Sequence, residues 1–204
     1  ARTTFAKNIK TVLEKNKLDG IDLDFEWAEN EKEYKDYSLA ILKMREMLGD
    51  KYLFSVSLHP VCYKISKEAI EAVDFISLQC YGPSPVRFPI EKYCSDIQMV
   101  LEYGIPKEKL VAGVPFYGVT KDNSKKTEAY FNFVQNGLVT SPAQNEVIYQ
   151  GDTYVFDGQD NIRIKTRYAK EQKLKGMMSW DLATDLPLSD SRSLLKTMTE
   201  ELRE

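Results

Sequence analysis

The sequence predicts an α/β fold built on a parallel sheet, and three observations lead there. Five short runs, beginning at Gly20, Leu53, Val73, Leu110 and Gly176, are apolar or alternate as strands do. Longer stretches with helical periodicity separate them, and strands alternating with helices imply right-handed βαβ units. At 204 residues, 43% hydrophobic and 29% charged, the chain can bury one substantial core with room for a small insertion.

The elements follow in order. Thr3 or Thr4 is expected to cap a first helix whose Phe5, Ile9, Val12 and Leu13 share a face, and residues 16–19 end it. The strand at Gly20 comes next, then a long helix over Glu31–Leu48 with Gly49 as its stop. The strand Leu53–Leu58 precedes a short helix near 66–72, a strand over 73–81 and a turn at Gly82-Pro83. A helix over 89–103 leads into a buried strand at Leu110. From about 121 to 160 the pattern loosens into a short helix (127–135), polar loops and a hairpin (147–156), an excursion long enough to imply a purpose. A helix over 161–172, a last strand at 176–180 and a last helix over 189–202 complete the chain.

The chemistry concentrates in one strand. Asp22, Asp24 and Glu26 stand at every second position of Asp19-Gly20-Ile21-Asp22-Leu23-Asp24-Phe25-Glu26-Trp27, so an extended backbone lines all three on one face, opposite Ile21, Leu23 and Phe25. Crowded carboxylates resist ionising together, and a protonated acid beside an ionised one is the equipment of acid catalysis. Two other readings of the same residues stay open. One is a polar stripe on a solvated strand. The other is a calcium loop with Asp22, Asp24, Glu26 and Glu33 at positions 1, 3, 5 and 12, although Trp27 occupies the position where glycine belongs.

Composition narrows the function classes. A net charge of -3 and a pI near 5.5 provide no field for nucleic acid or an anionic membrane surface. No apolar run reaches spanning length, and the opening residues do not read as a secretory leader. Cys62, Cys80 and Cys94 are odd in number and lack metal-ligand spacing, so they are expected as ordinary buried thiols, with no disulfide, metal or cofactor implied. His59 is the only histidine, and no motif surrounds it to suggest a Ser/His or Cys/His system. The strand ends instead collect Glu26 and Trp27, His59, Gln79 and Tyr81, Phe116 and Tyr117, and Trp180 and Asp181. In a (β/α)8 barrel that end of the strands forms the shared pocket.

On these residues the sequence resembles glycoside hydrolase family 18, the chitinase and endo-β-N-acetylglucosaminidase family. Residues Asp19 to Glu26 match its DGxDxDxE signature, Gly113-Val114-Pro115-Phe116-Tyr117-Gly118 its seventh-strand motif, and Gly176-Met177-Met178-Ser179-Trp180 its eighth-strand motif. The resemblance implies a TIM barrel of which about five of eight βα units are present, the first three strands being absent. Residues 1–204 would then be the C-terminal portion of a catalytic barrel, the other strands coming from the rest of the parent chain. An open sheet of this kind is expected to expose two edges and an apolar inner face.

The resemblance also implies roles. Glu26 would be the general acid, and Asp24 would orient the substrate's 2-acetamido group with Asp22 behind it. Tyr81 would hydrogen-bond the acetamido carbonyl, Trp180 would floor the −1 sugar, and Gln79 and Tyr117 would line the pocket. Such enzymes are substrate-assisted and use no separate nucleophile of their own. The implied partner is an N-acetylglucosamine polymer such as chitin, with an N-glycan core, peptidoglycan or mere glycan binding as alternatives, and family habit suggests secretion. Gly82 stands where many members carry aspartate, and Val119 where arginine is common.

Overall fold

The computed structural model describes residues 1–82, 88–122 and 125–203; Pro83 of the expected turn lies outside them. Five strands form a parallel sheet: β1 (Gly20–Asp24), β2 (Leu53–Leu58), β3 (Phe75–Leu78), β4 (Leu110–Pro115) and β9 (Gly176–Trp180), neighbouring one another in that order. Asp24 pairs with Ser57, Ser57 with Ser77, Ser77 with Val111, and Val111 with Gly176, so one register line crosses the whole sheet. The third strand is shorter than the expected 73–81. Cys80 N–H turns back to the Leu78 carbonyl at 3.0 Å, which ends the ladder.

The two faces of the sheet differ in chemistry. Phe54, Val56, Leu58, Ile76, Leu78, Leu110, Ala112 and Val114 are buried in the core under the helices. The opposite face carries Asp22, Asp24, Ser55, Ser57, Ser77 and Gln79 over its first three strands and Val111 and Met178 over the last two, so the expected apolar inner face is polar along β1–β3, where alternation gave the polar residues to that side. Exposed apolar side chains also gather at the β1 edge and the first helix, in Phe5, Val12, Leu18, Phe25 and Leu53.

Helix α1 (Arg2–Asn16) begins at Ala1 without a side-chain cap, so neither Thr3 nor Thr4 caps it. It buries Ala6 and Leu13 and leaves Phe5 and Val12 exposed, because α1 packs beside α2 (Glu31–Leu48) at the sheet's edge. Asn30 caps α2 by accepting from Glu33 N–H at 3.1 Å, while the Glu33 carboxylate accepts from Glu29 N–H and Asn30 Nδ2, both at 2.8 Å. Those bonds hold Glu33 at a helix start, and Asp22 and Asp24 lie in a strand, so these residues do not form a calcium loop. Ser66 caps α3 (Lys67–Ala72), and α4 (Ile90–Tyr103) stops at Gly104 in the left-handed conformation, φ 111°.

The excursion is a second sheet. Strands β5 (Tyr117–Thr120), β6 (Thr127–Ala129), β7 (Glu146–Tyr149) and β8 (Asp152–Val155) pair antiparallel in the order β6-β5-β8-β7. It therefore starts at Tyr117, ahead of the expected 121, and residues 127–129 are strand instead of helix, with α5 confined to Tyr130–Gln135. Helix α6 (Gln159–Glu171) returns the chain to β9. The last helix, α7 (Leu194–Arg203), begins five residues after the expected 189. The Asp185 carboxylate sets that start by accepting from Leu194 N–H at 2.9 Å, Leu195 N–H at 2.8 Å and Ser193 Oγ at 2.8 Å.

Candidate active site

Strand β1 is anchored from both sides before it presents its acids. The Tyr37 hydroxyl of α2 donates to the Leu23 carbonyl at 3.1 Å, and the Tyr37 ring lies 5.2 Å from that of Phe25. On the polar face, Ser55 Oγ donates to Asp22 Oδ1 at 2.6 Å and Ser57 Oγ to Asp22 Oδ2 at 2.8 Å, so both Asp22 oxygens are held by the neighbouring strand.

Gln79, just beyond β3, bridges the other two acids. Its Nε2 donates to Asp24 Oδ1 at 3.1 Å and to Glu26 Oε1 at 3.4 Å. Partial burial, then Glu26, then Asp22 push the Asp24 carboxyl above the ordinary 3.8, against the lowering effect of Gln79. The crowding expected from the sequence is therefore felt at the middle acid of the row. All three acids are exposed on the open face of the sheet.

Tyr81 follows on the same face. Its hydroxyl donates to Met178 Sδ at 3.8 Å, and burial, reinforced by Tyr117 and by Asp24, keeps the phenol protonated well above its usual range. Gly113 makes room for it: a Cβ there would stand 2.9 Å from the Tyr81 ring and 2.7 Å from the Leu78 carbonyl oxygen. Tyr81 meets Tyr117 edge-on at 6.4 Å, and Phe88 approaches Tyr117 at the same distance. Tyr117 and Trp180 then share a cavity of about 310 Å³ with Thr127, Glu128, Ala129, Asp181 and Thr184, between the two sheets. Trp180 is 56% exposed, and Phe116 N–H fixes its carbonyl at 2.8 Å. Cis peptide bonds join Glu26 to Trp27 and Trp180 to Asp181.

The seven residues singled out from sequence thus fall into two connected groups. Gln79 joins Asp24 and Glu26 by hydrogen bonds, with Asp22 beside them on the same face, and Tyr117 and Trp180 share the cavity. Tyr81 links them, since it feels the charge of Asp24 and Glu26 and touches Tyr117. The acids do not line the cavity itself. Sequence reasoning missed Glu128 and Thr127 as cavity walls, because the strand that carries them was read as helix. Among the described residues no cluster of three or more His, Cys, Asp or Glu side chains is placed to hold a metal ion.

The two departures from the family pattern have structural accounts. Val119 is buried within the small sheet, paired with Thr127 and Val155. At Gly82 a Cβ would stand 3.1 Å from His59 Nε2, so a side chain there would crowd the imidazole. Cys62, Cys80 and Cys94 are free thiols, the first two buried, and burial pushes Cys80 up to about 12.

Acids, a tyrosine and a tryptophan thus gather at the C-terminal ends of parallel strands, where (β/α)8 folds place their sites. Residues 1–185 match the family model for glycosyl hydrolases family 18, and the chain belongs to that family. It is 23% identical over 248 residues to probable chitinase 2 of Drosophila melanogaster, covering 90% of this chain and 51% of that protein. The chain thus spans about half the length of this curated relative. Its structure is similar to that of the family 18 chitinase ChiB from the chitin utilization locus of Flavobacterium johnsoniae, with TM-score 0.80, 27% identity, and coverage of 97% of this chain and 64% of that one. It is also similar in fold to the chitinase-like agglutinin RobpsCRA of Robinia pseudoacacia, with TM-score 0.81, 19% identity, and coverage of 98% and 72%.

Proposed function

We propose that this chain carries the catalytic machinery of a retaining glycoside hydrolase that cleaves β-1,4-linked N-acetylglucosamine polymers, chitin or chito-oligosaccharides. The observation that carries the reading is the Gln79 amide bridging Asp24 and Glu26, which holds two like-charged groups within reach of one donor. Two carboxyls so placed can divide the work, one delivering a proton and the other stabilising positive charge. In the reaction Glu26 gives its proton to the glycosidic oxygen while the substrate's acetamido oxygen attacks the anomeric carbon and the leaving sugar departs. The resulting oxazolinium-type intermediate places positive charge beside Asp24, where an ionised carboxylate stabilises it. Tyr81, a protonated phenol, donates to the acetamido carbonyl, and Trp180 supports the sugar ring. Water then attacks the anomeric carbon, losing its proton to Glu26, and the second displacement restores the original configuration.

In this reading the five parallel strands belong to a barrel whose other strands come from the rest of the parent chain. Its free edges, β1 and β9, and the partial coverage of longer relatives support that arrangement. The excursion at 121–160, observed as a sheet from Tyr117 to Val155, forms a wall of the cleft. The test is fluorophore release from an aryl chitobioside by the full-length protein. Glu26→Gln should lower kcat by roughly 10²–10⁴-fold, the span of general acid catalysis. A loss under about tenfold would exclude Glu26 as the acid.

The likeness to a chitinase-like agglutinin supports a second reading, glycan binding without turnover. Tight binding of chito-oligosaccharide by the wild-type protein, with no cleavage on prolonged incubation, is the outcome that would select it.

A further inference from the structure

Glu26 lies just beyond the last residue of β1, and the polar contact on its side chain is a 3.4 Å bond to Gln79. The backbone that follows is held much more firmly. The turn after β2 closes on itself: Cys62 N–H donates to the His59 carbonyl at 2.7 Å, and His59 N–H to the Cys62 carbonyl at 3.3 Å. Within it Val61 N–H donates to His59 Nδ1 at 3.3 Å, which places the hydrogen of the neutral imidazole on Nε2. Both His59 and Cys62 are 2% exposed.

This closed turn grips the two residues after Glu26. The Trp27 indole meets the His59 ring edge-on at 4.7 Å. Ala28 N–H, on a residue 3% exposed, donates to Cys62 Sγ at 3.1 Å, so a buried backbone donor takes the thiol as its acceptor. The Tyr34 hydroxyl of α2 braces the same turn by donating to the Val61 carbonyl at 3.3 Å, and burial and the Cys62 side chain push that hydroxyl up to about 12. On the other side the imidazole lies close over Gly82, where an added Cβ would stand 3.1 Å from Nε2.

We infer that the His59–Cys62 turn is a positioning element for Glu26, setting the angle from which the acid approaches the glycosidic oxygen. This inference rests on the hydrolase reading above. Neither residue touches substrate; both act through the Trp27-Ala28 backbone. A tilt of the acid matters most where its proton is most needed, in departure of an ordinary sugar alcohol. It matters least for a leaving group such as dinitrophenolate, which departs without protonation.

The experiment uses the full-length protein with Cys62→Ala, Cys62→Ser and Glu26→Gln, each assayed on a chito-oligosaccharide and on dinitrophenyl chitobioside. Cys62→Ala, which leaves Ala28 N–H without its acceptor, should lower kcat on the oligosaccharide by about 10–100-fold with KM little changed, the scale of a small misplacement of a reacting group. On the dinitrophenyl substrate the loss should stay under about threefold, because little proton transfer is required. Cys62→Ser, which restores an acceptor, should recover most of the rate. Equal losses on both substrates, a loss confined to KM, or no loss in a folded Cys62→Ala protein would each overturn the inference. If Glu26→Gln hydrolyses the oligosaccharide at the wild-type rate, Glu26 is not the acid and the inference falls with that assignment, and if the wild-type protein cleaves neither substrate the hydrolase reading itself fails, outcomes distinct from the others. Should Cys62→Ala not fold, His59→Phe, which keeps a ring against Trp27 but removes the Nδ1 acceptor, decides by the same ratio of the two substrates.

Discussion

Two clusters of charge in this protein are built on opposite terms. In one, Asp22, Asp24 and Glu26 stand in a row on an exposed sheet face, and neutral groups, the hydroxyls of Ser55 and Ser57 and the amide of Gln79, hydrogen-bond them. In the other, Lys165 Nζ lies 2.5 Å from Asp157 Oδ2, the two side chains 1% and 0% exposed. Asn161 donates to the second Asp157 oxygen at 3.1 Å, and the ammonium sits 5.9 and 5.5 Å from the ring centroids of Phe88 and Tyr93. A charge neutralised inside the core has no field left for an incoming ligand. Like charges restrained by neutral donors keep theirs, which leaves that field open to a bound ligand and costs the fold some stability.

The strongest way to break this contrast is at the buried pair. Lys165→Met strands an ionised or forcibly neutralised Asp157 in the core and should cost about 3–5 kcal/mol, measured by urea unfolding. Adding Asp157→Leu removes the orphaned charge, so the double variant should recover most of that loss even though it has fewer polar contacts. A single variant as stable as wild type would mean the pair is not structural.

At the row the sign reverses. Asp24 holds its proton more tightly folded than unfolded, because burial and then its neighbours raise it above 3.8. The native state therefore binds more protons as pH rises past the unfolded value, and stability is lost through the folded pKa and stays lower beyond it. Asp24→Asn should thus melt higher than wild type near neutral pH, with the advantage vanishing in acid, where both forms are uncharged. Activity should fall on the order of a hundredfold, as when one electrostatic stabiliser of a developing charge is removed. A variant that is destabilised at neutral pH would show that Asp24 is a structural carboxylate after all.

How far these two clusters could be read in advance follows from the range of the interactions that make them. The row was legible because alternation along one strand decides its face, and Gln79 and Tyr81, just beyond β3, fall on the same side. All five parallel strands and the bounds of α2 carried local signals of this kind. Residues 127–129 did not: three residues become strand only by pairing with Tyr117–Val119, a choice made by the partner. The start of α7 depends on Asp185, eight to ten residues upstream of the groups it caps. Cys62 read as an ordinary buried thiol because its partner, Ala28 N–H, is 34 residues away and no spacing announces it.

The smallest effect tests whether the donors of the row are truly restraints on a solvated charge. Ser57→Ala removes one of the two hydroxyls on Asp22 and leaves the 2.6 Å bond from Ser55. In a dry core, loss of a donor to a carboxylate would cost the upper part of the range for such bonds. Asp22 is exposed, so water takes the vacated position, and chemical denaturation should show a loss of only about 0.5–1 kcal/mol. The same exposure predicts that Ser55→Ala costs about as much and that the two replacements together cost more than their sum, since the second leaves Asp22 unrestrained. Strict additivity would mean that the serines act independently, and the row would then be a solvated stripe instead of a braced set of acids.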